Sequence, residues 1–196
     1  VFPWMAWALR DEYYSAGGPG GRAFQAEDAH QREMRPARGL RPRELRRAQG
    51  RESSLDRVEP SVYEQFYALE REHWWFVGMR DVCRTALQRV LREAGRRSAM
   101  CLDVGCGTGL WTRDLEAFGE VCGVDIAPEA LYFCRQRGLA RLVRAAAERL
   151  PFDSESCELI TALGVIEHLD DDKGFLSVLY RVCRPGGHVL LLTSAY

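Results

Sequence analysis

Cys101-Leu102-Asp103-Val104-Gly105-Cys106-Gly107-Thr108-Gly109 decides how this chain folds. An apolar run leads into an acid, and three glycines follow at alternate positions. A helix-like segment begins at Leu110. Glycine is needed where the backbone turns tightly or must lie against a ligand, because a Cβ there would clash. A strand, a Gly-rich turn and a helix start together make a site for a nucleotide-like ligand.

Outward from this stretch, strands and helices alternate. The pattern predicts strands at 99–104, 120–124, 141–145, 157–163 and 188–193. Helices are predicted at 110–118, 128–136 and 171–183. Alternation with short links means an α/β fold, a doubly wound parallel sheet covered on both faces. Upstream, a helix capped by Ser61 is expected to carry Val62, Phe66 and Leu69 on one face. A second is expected over 78–94, with Val82, Ala86, Leu87, Val90 and Leu91 facing the core. Residues 1–58 contain Gly17-Gly18-Pro19-Gly20-Gly21 and an Arg-rich run, and read as a disordered or loosely helical leader. The expected organisation is therefore that leader, a helical cap over 59–98, and a ligand-binding domain over 99–196.

The bulk numbers restrict function. The chain has 196 residues and a formal net charge of −1, so no global field argues for nucleic acid or an anionic membrane. The seven cysteines form no C-x-x-C pair, which argues against a zinc site and a disulfide framework. The apolar stretch 1–9 is too short to span a bilayer and lacks a basic start, so the default location is the cytoplasm.

In an open α/β sheet the ligand sits beyond the carboxyl ends of the strands. The notable polar residues fall at such ends: Asp103 to Gly109, Asp125, Ala146 to Glu148, and Gly164 to His168. Asp125 is placed to accept from a ribose diol. A dinucleotide loop reads G-x-G-x-x-G, whereas Gly105, Gly107 and Gly109 give G-x-G-x-G, which makes a nicotinamide cofactor improbable. An acid at Asp103 suits a cationic ligand and repels a pyrophosphate.

Five signatures, in order, complete a resemblance. They are Leu102–Gly109 itself, Gly123-Val124-Asp125-Ile126-Ala127, Leu150-Pro151-Phe152, Ile166-Glu167-His168-Leu169 and Arg181-Val182-Cys183-Arg184-Pro185-Gly186-Gly187. From about Tyr63 onward the chain resembles the class I S-adenosylmethionine-dependent methyltransferases of the small-molecule and lipid type. Glu72-His73-Trp74-Trp75-Phe76-Val77-Gly78-Met79-Arg80 looks like a module that precedes this domain in a bacterial subset.

The resemblance implies a Rossmann-like sheet with S-adenosyl-L-methionine as cofactor. Asp103 and the loop Gly105, Cys106, Gly107, Thr108 and Gly109 would hold its methionine part. Asp125 would take the ribose hydroxyls, Ile126 would pack on the adenine, and Leu163 would line the cofactor. The family often has an Asp where Ala146 stands; backbone at Ala147 or the Glu148 side chain would have to replace it. Relatives that bind a divalent ion use Glu-x-x-Glu-His, but the first position here is Gly164, so no metal is expected. His168 is the candidate general base, and Trp74, Trp75 and Glu167 are candidates for an acceptor pocket. Tyr63 and Tyr67 read as ordinary packing, and Cys106 as a small loop filler.

The implied activity is methyl transfer to a small-molecule, lipid or sugar-linked acceptor; the alternative is a weak or inactive cofactor-binding fragment or partner subunit. The family's sheet ends in an antiparallel hairpin beside strand five. The sequence stops at Tyr196, so the hairpin, and with it much of the acceptor wall, is expected to be missing.

Overall fold

The computed structural model describes residues 60–93 and 100–193; the expected leader over 1–58 lies outside them. Helices α1 (Pro60–Leu69) and α2 (Trp74–Glu93) come first. Then follow β1 (Met100–Val104), α3 (Leu110–Leu115), β2 (Glu120–Asp125), α4 (Pro128–Gln136), β3 (Leu142–Arg144), β4 (Cys157–Leu163), α5 (Asp172–Val182) and β5 (Cys183–Leu192). Short 3₁₀ turns at Ala147–Arg149 and Ile166–His168 follow β3 and β4.

The five strands form one sheet in the order β3-β2-β1-β4-β5, and every pairing is parallel. The chain winds outward through β2 and β3, then returns to place β4 on the other side of β1. The loops after β1 and β4 therefore part at the switch point, which opens a crevice above their carboxyl ends.

Alternation along β1 divides the core. Leu102 and Val104 pack with Val124, Ile160, Phe175, Leu179 and Val182, on the side covered by α5. Cys101 packs with Trp111, Leu115 and Leu159 on the other side, where Cys83, Leu87 and Leu91 of α2 close the layer. Strands β1, β2 and β4 are buried on both sides because helices cover both.

Several boundaries differ from the sequence expectation. Helix α1 begins at Pro60, so Ser61 lies inside it rather than capping it; proline needs no N–H partner in a first turn. Its buried residue is Tyr63, which packs with Tyr67, Ala130 and Phe133, instead of a Val62-Phe66-Leu69 stripe. Helix α2 starts at Trp74, not 78, and Val82 is 65 % exposed. Its buried stripe is Cys83, Leu87 and Leu91, spaced by four. Helix α3 stops at Leu115 rather than 118. Strand β5 begins at Cys183, directly after α5, and its pairing with β4 shifts register before His188. Residues Arg184 to Gly187 are taken up in that irregularity.

Candidate active site

Asp103 is the penultimate residue of β1, on the α2 and α3 side of the sheet, and it is buried. Its Oδ2 accepts from Thr112 Oγ1 at 2.6 Å and its Oδ1 from Thr161 Oγ1 at 2.7 Å. Trp111 Nε1 donates to the same Thr161 oxygen at 3.3 Å. Burial pushes the Asp103 carboxyl up to about 6, against the pull of the two hydroxyls. Each oxygen accepts from one threonine hydroxyl, and these two bonds brace the acid beneath the loop.

The loop itself is fixed by backbone bonds. The N–H groups of Gly105 and Cys106 both donate to the Val124 carbonyl, at 2.8 and 2.9 Å. Gly109 cannot be replaced without strain: its φ is +85°, and a Cβ would stand 2.7 Å from Cys134 Sγ and Leu139 Cδ1. Gly107 is different. Its φ is +52°, yet a Cβ there would meet nothing within 4 Å. The glycine opens a cradle above the sheet instead of filling a tight fit. The Cys106 side chain faces inward, with its Sγ 3.7 Å from Cys134 Sγ, so only its backbone is available to a ligand.

Asp125 ends β2 beside this cradle. Its Oδ2 accepts from Gly107 N and its Oδ1 from Ala127 N, both at 2.9 Å. Burial raises the carboxyl to about 6 despite those bonds. Each oxygen retains a lone pair for a hydroxyl donor. The next residue, Ile126, leaves an apolar side chain 53 % exposed. Ala147 and Glu148 sit half-buried in the turn after β3, and Leu163 is half-buried at the end of β4.

After β4, Gly164 takes φ +69°. Both carboxylate oxygens of Glu167 are shielded from solvent and have no hydrogen-bond partner among the described residues. His168 is exposed at the end of the same turn. At the cap, Trp74 is 69 % exposed while Trp75 is half-buried. Phe76 meets Phe66 edge-on, with centroids 5.7 Å apart, and joins α2 to α1. Among the described residues no group of three or more His, Cys, Asp or Glu side chains is placed to hold a metal ion.

Two residues that sequence reasoning missed, Glu70 and Arg137, reach the same loop. Glu70 accepts from the Thr108 hydroxyl and from Arg137. Arg137 is buried, donates from Nε to the Thr108 carbonyl at 2.9 Å and from Nη2 to the Tyr67 carbonyl at 3.2 Å, and lies over the Tyr67 ring. Tyr63, read as packing, does pack, against Tyr67, Ala130 and Phe133. Burial raises its phenol first, and Asp125, Glu129 and Cys106 raise it further, so it lies within electrostatic reach of the Asp125 carboxylate. The only sequence trace of this network is a pair of charges flanking predicted helix ends.

A glycine cradle, a ribose-height carboxylate and an exposed apolar side chain at the switch point define an α/β domain for a nucleoside-bearing ligand. The features fit S-adenosylmethionine: open backbone for the amino-acid end, acceptors for a diol, an apolar surface for a base. Residues 102–191, a little under half of the chain, match a family described as a methyltransferase domain.

Demethylmenaquinone methyltransferase of Staphylococcus aureus (strain MRSA252) is 32% identical over 117 residues, which is 55% of this chain and 48% of that protein. The Lactiplantibacillus plantarum protein of that name is 32% identical over 109 residues, 50% of this chain and 46% of its own length. The chain thus spans about half the length of these curated relatives. Among solved structures, a Methanococcus maripaludis protein assigned to the S-adenosylmethionine-dependent methyltransferases superposes with TM-score 0.59 at 13% identity, over 72% of this chain and 67% of that one. A SAM-dependent methyltransferase from Aquifex aeolicus gives TM-score 0.52 at 18% identity, over 69% and 72%. These two likenesses bear on the fold alone. No described helix is long and apolar enough to cross a membrane.

Proposed function

We propose that this chain binds S-adenosyl-L-methionine over the Gly105–Gly109 loop and transfers its methyl group to a small-molecule or lipid acceptor. The observation that carries the reading is Gly107: a left-handed backbone position with open space above it, hydrogen-bonded to Asp125. The family match over 102–191 supports the same reading. The quinone-type acceptor named by the two relatives supports a small or lipid-like acceptor over a macromolecule.

When bound, the cofactor supplies an electrophilic methyl carbon on a sulfonium. The task of the chain is to bind and orient. Asp125 takes the ribose hydroxyls, Ile126 covers one face of the adenine, and Ala147 and Glu148 border it. Thr108 and the loop backbone hold the amino-acid end. Positioning alone supplies much of such a displacement, on the order of 7–11 kcal/mol for well-oriented partners. The acceptor lies toward the loop after β4, where the unpartnered Glu167 carboxylate takes a donor from it. His168 stands beside it as the general base for a hydroxyl acceptor, with Trp74 and Trp75 on the cap side.

A second reading, a cofactor-binding partner subunit of low activity, is favoured by Ala146, which offers no side-chain acceptor to the adenine amine. A labelled-methyl assay on cell extract, with and without the purified chain, separates the two. Label entering an extract component only when the chain is present supports the enzyme. Calorimetric binding without any transferred label supports the partner subunit.

A further inference from the structure

Arg80 stands in the first half of α2, with its side chain largely buried against α3. Its only ion pair among the described residues is with Asp114 on α3, where Nη1 lies 3.5 Å from Oδ2. That oxygen is already taken: Arg84 Nη2 donates to it at 2.9 Å. The Arg80 contact is longer than an ordinary N–H···O bond. Its Nε is also buried without any acceptor. A guanidinium has five donors in a fixed fork, and burying them unspent costs free energy.

The other basic side chains around the loop are committed. Arg137 spends its donors on the Thr108 and Tyr67 carbonyls and on Glu70. Arg113 donates to the Arg137 carbonyl at 2.5 Å, and Arg144 to the Ile126 carbonyl at the far end of the crevice. Glu70, which holds the Thr108 hydroxyl, feels the Arg80 charge, so Arg80 lies close to that end of the loop. Its partner is nevertheless Arg137.

We propose that Arg80 grips the α-carboxylate of the cofactor's amino-acid end. This rests on the S-adenosylmethionine reading above and adds an anchor from the helical cap. The amino-acid end is the one part of the cofactor that carries a negative charge. Asp103 and Asp125 make the strand ends acidic, so that carboxylate needs a cation from outside the sheet. A guanidinium fork matches a carboxylate with two parallel bonds, and the Arg80 fork retains the donors to make them. The cap thereby becomes part of the cofactor site.

The test is calorimetry on the full chain with two probes, S-adenosylmethionine and its decarboxylated analogue, which keeps the nucleoside, sulfonium and ammonium. The wild-type chain is expected to prefer S-adenosylmethionine by about tenfold or more, the scale of a charged hydrogen-bonded pair. Arg80→Gln is expected to abolish that preference while binding the decarboxylated analogue as the wild type does. Arg80→Lys keeps the charge without the fork and retains part of the preference; it also serves if the glutamine variant does not fold. Equal weakening of both probes, or an undiminished preference in the variants, overturns the proposal. Wild-type binding of both probes with equal affinity overturns the Arg80 assignment alone, whereas binding of neither overturns the cofactor reading.

Discussion

The Glu70 carboxylate and the Arg137 guanidinium pair inside the molecule across 67 positions of sequence. Their side chains are 12 % and 1 % exposed. The pair joins the C-terminal end of α1 to the segment after α4, and both partners also hold Thr108. One buried pair thus ties the cap to the cofactor loop.

Removing one member of such a pair leaves an uncompensated buried charge. Arg137→Met is expected to destabilise the chain by about 3–5 kcal/mol. Glu70→Gln, which keeps the shape and one acceptor, is expected to cost less. Urea unfolding of the two variants checks the order; a loss below about 1 kcal/mol in Arg137→Met would show that the pair is not buried in solution.

Two glycines of one loop are expected to fail differently. Gly109→Ala puts a methyl 2.7 Å from Cys134 Sγ and Leu139 Cδ1 in a left-handed backbone, and should lower stability sharply. Gly107→Ala adds only left-handed strain, about 1–2 kcal/mol, because no protein atom lies near. Its methyl instead occupies the cradle. Thermal unfolding paired with cofactor binding reads the contrast: stability falls most in the first variant, and affinity falls relative to stability in the second.

Asp125→Ala should weaken cofactor binding by roughly 1.5–3 kcal/mol, the range for hydrogen bonds to a charged acceptor. Titration calorimetry checks it, and unchanged affinity removes Asp125 from the site.

The same carboxyls give two opposite pH trends. Asp103 and Asp125 have folded values of about 6 against an ordinary 3.8, so between these values the folded chain holds protons that the unfolded chain does not. Their contribution to stability is present below about 4 and lost as pH rises through about 6, by up to roughly 3 kcal/mol each. Asp103→Asn should flatten that fall. Cofactor affinity runs the other way, because a protonated Asp125 offers the ribose fewer acceptors, and should decline below about pH 6. Unfolding and binding curves recorded from pH 4.5 to 8 check both signs.

The sheet and its loop were legible because they rest on local pattern. Apolar runs mark β1 to β4, and Gly105, Gly107 and Gly109 punctuate the turn that only glycine makes easily. The start of β5 was not legible: Arg184-Pro185-Gly186-Gly187 reads as a turn, and only pairing with β4 draws it into the strand. Asp103 was seen as an acid near a ligand, but its bonds to Thr112 and Thr161 depend on α3 and β4 folding beside it. The cap contacts were invisible for the same reason. Glu70 and Arg80 acquire their partners only when α1 and α2 settle against the sheet, and no spacing in the sequence encodes that approach.

The most direct measurement is calorimetric titration of the chain with S-adenosyl-L-methionine and, separately, with NAD. Saturable binding of S-adenosyl-L-methionine at one site, weakened in Asp125→Ala, and no heat with NAD is the predicted result. Binding of NAD in its place, or no binding of S-adenosyl-L-methionine by a folded chain, would contradict the account.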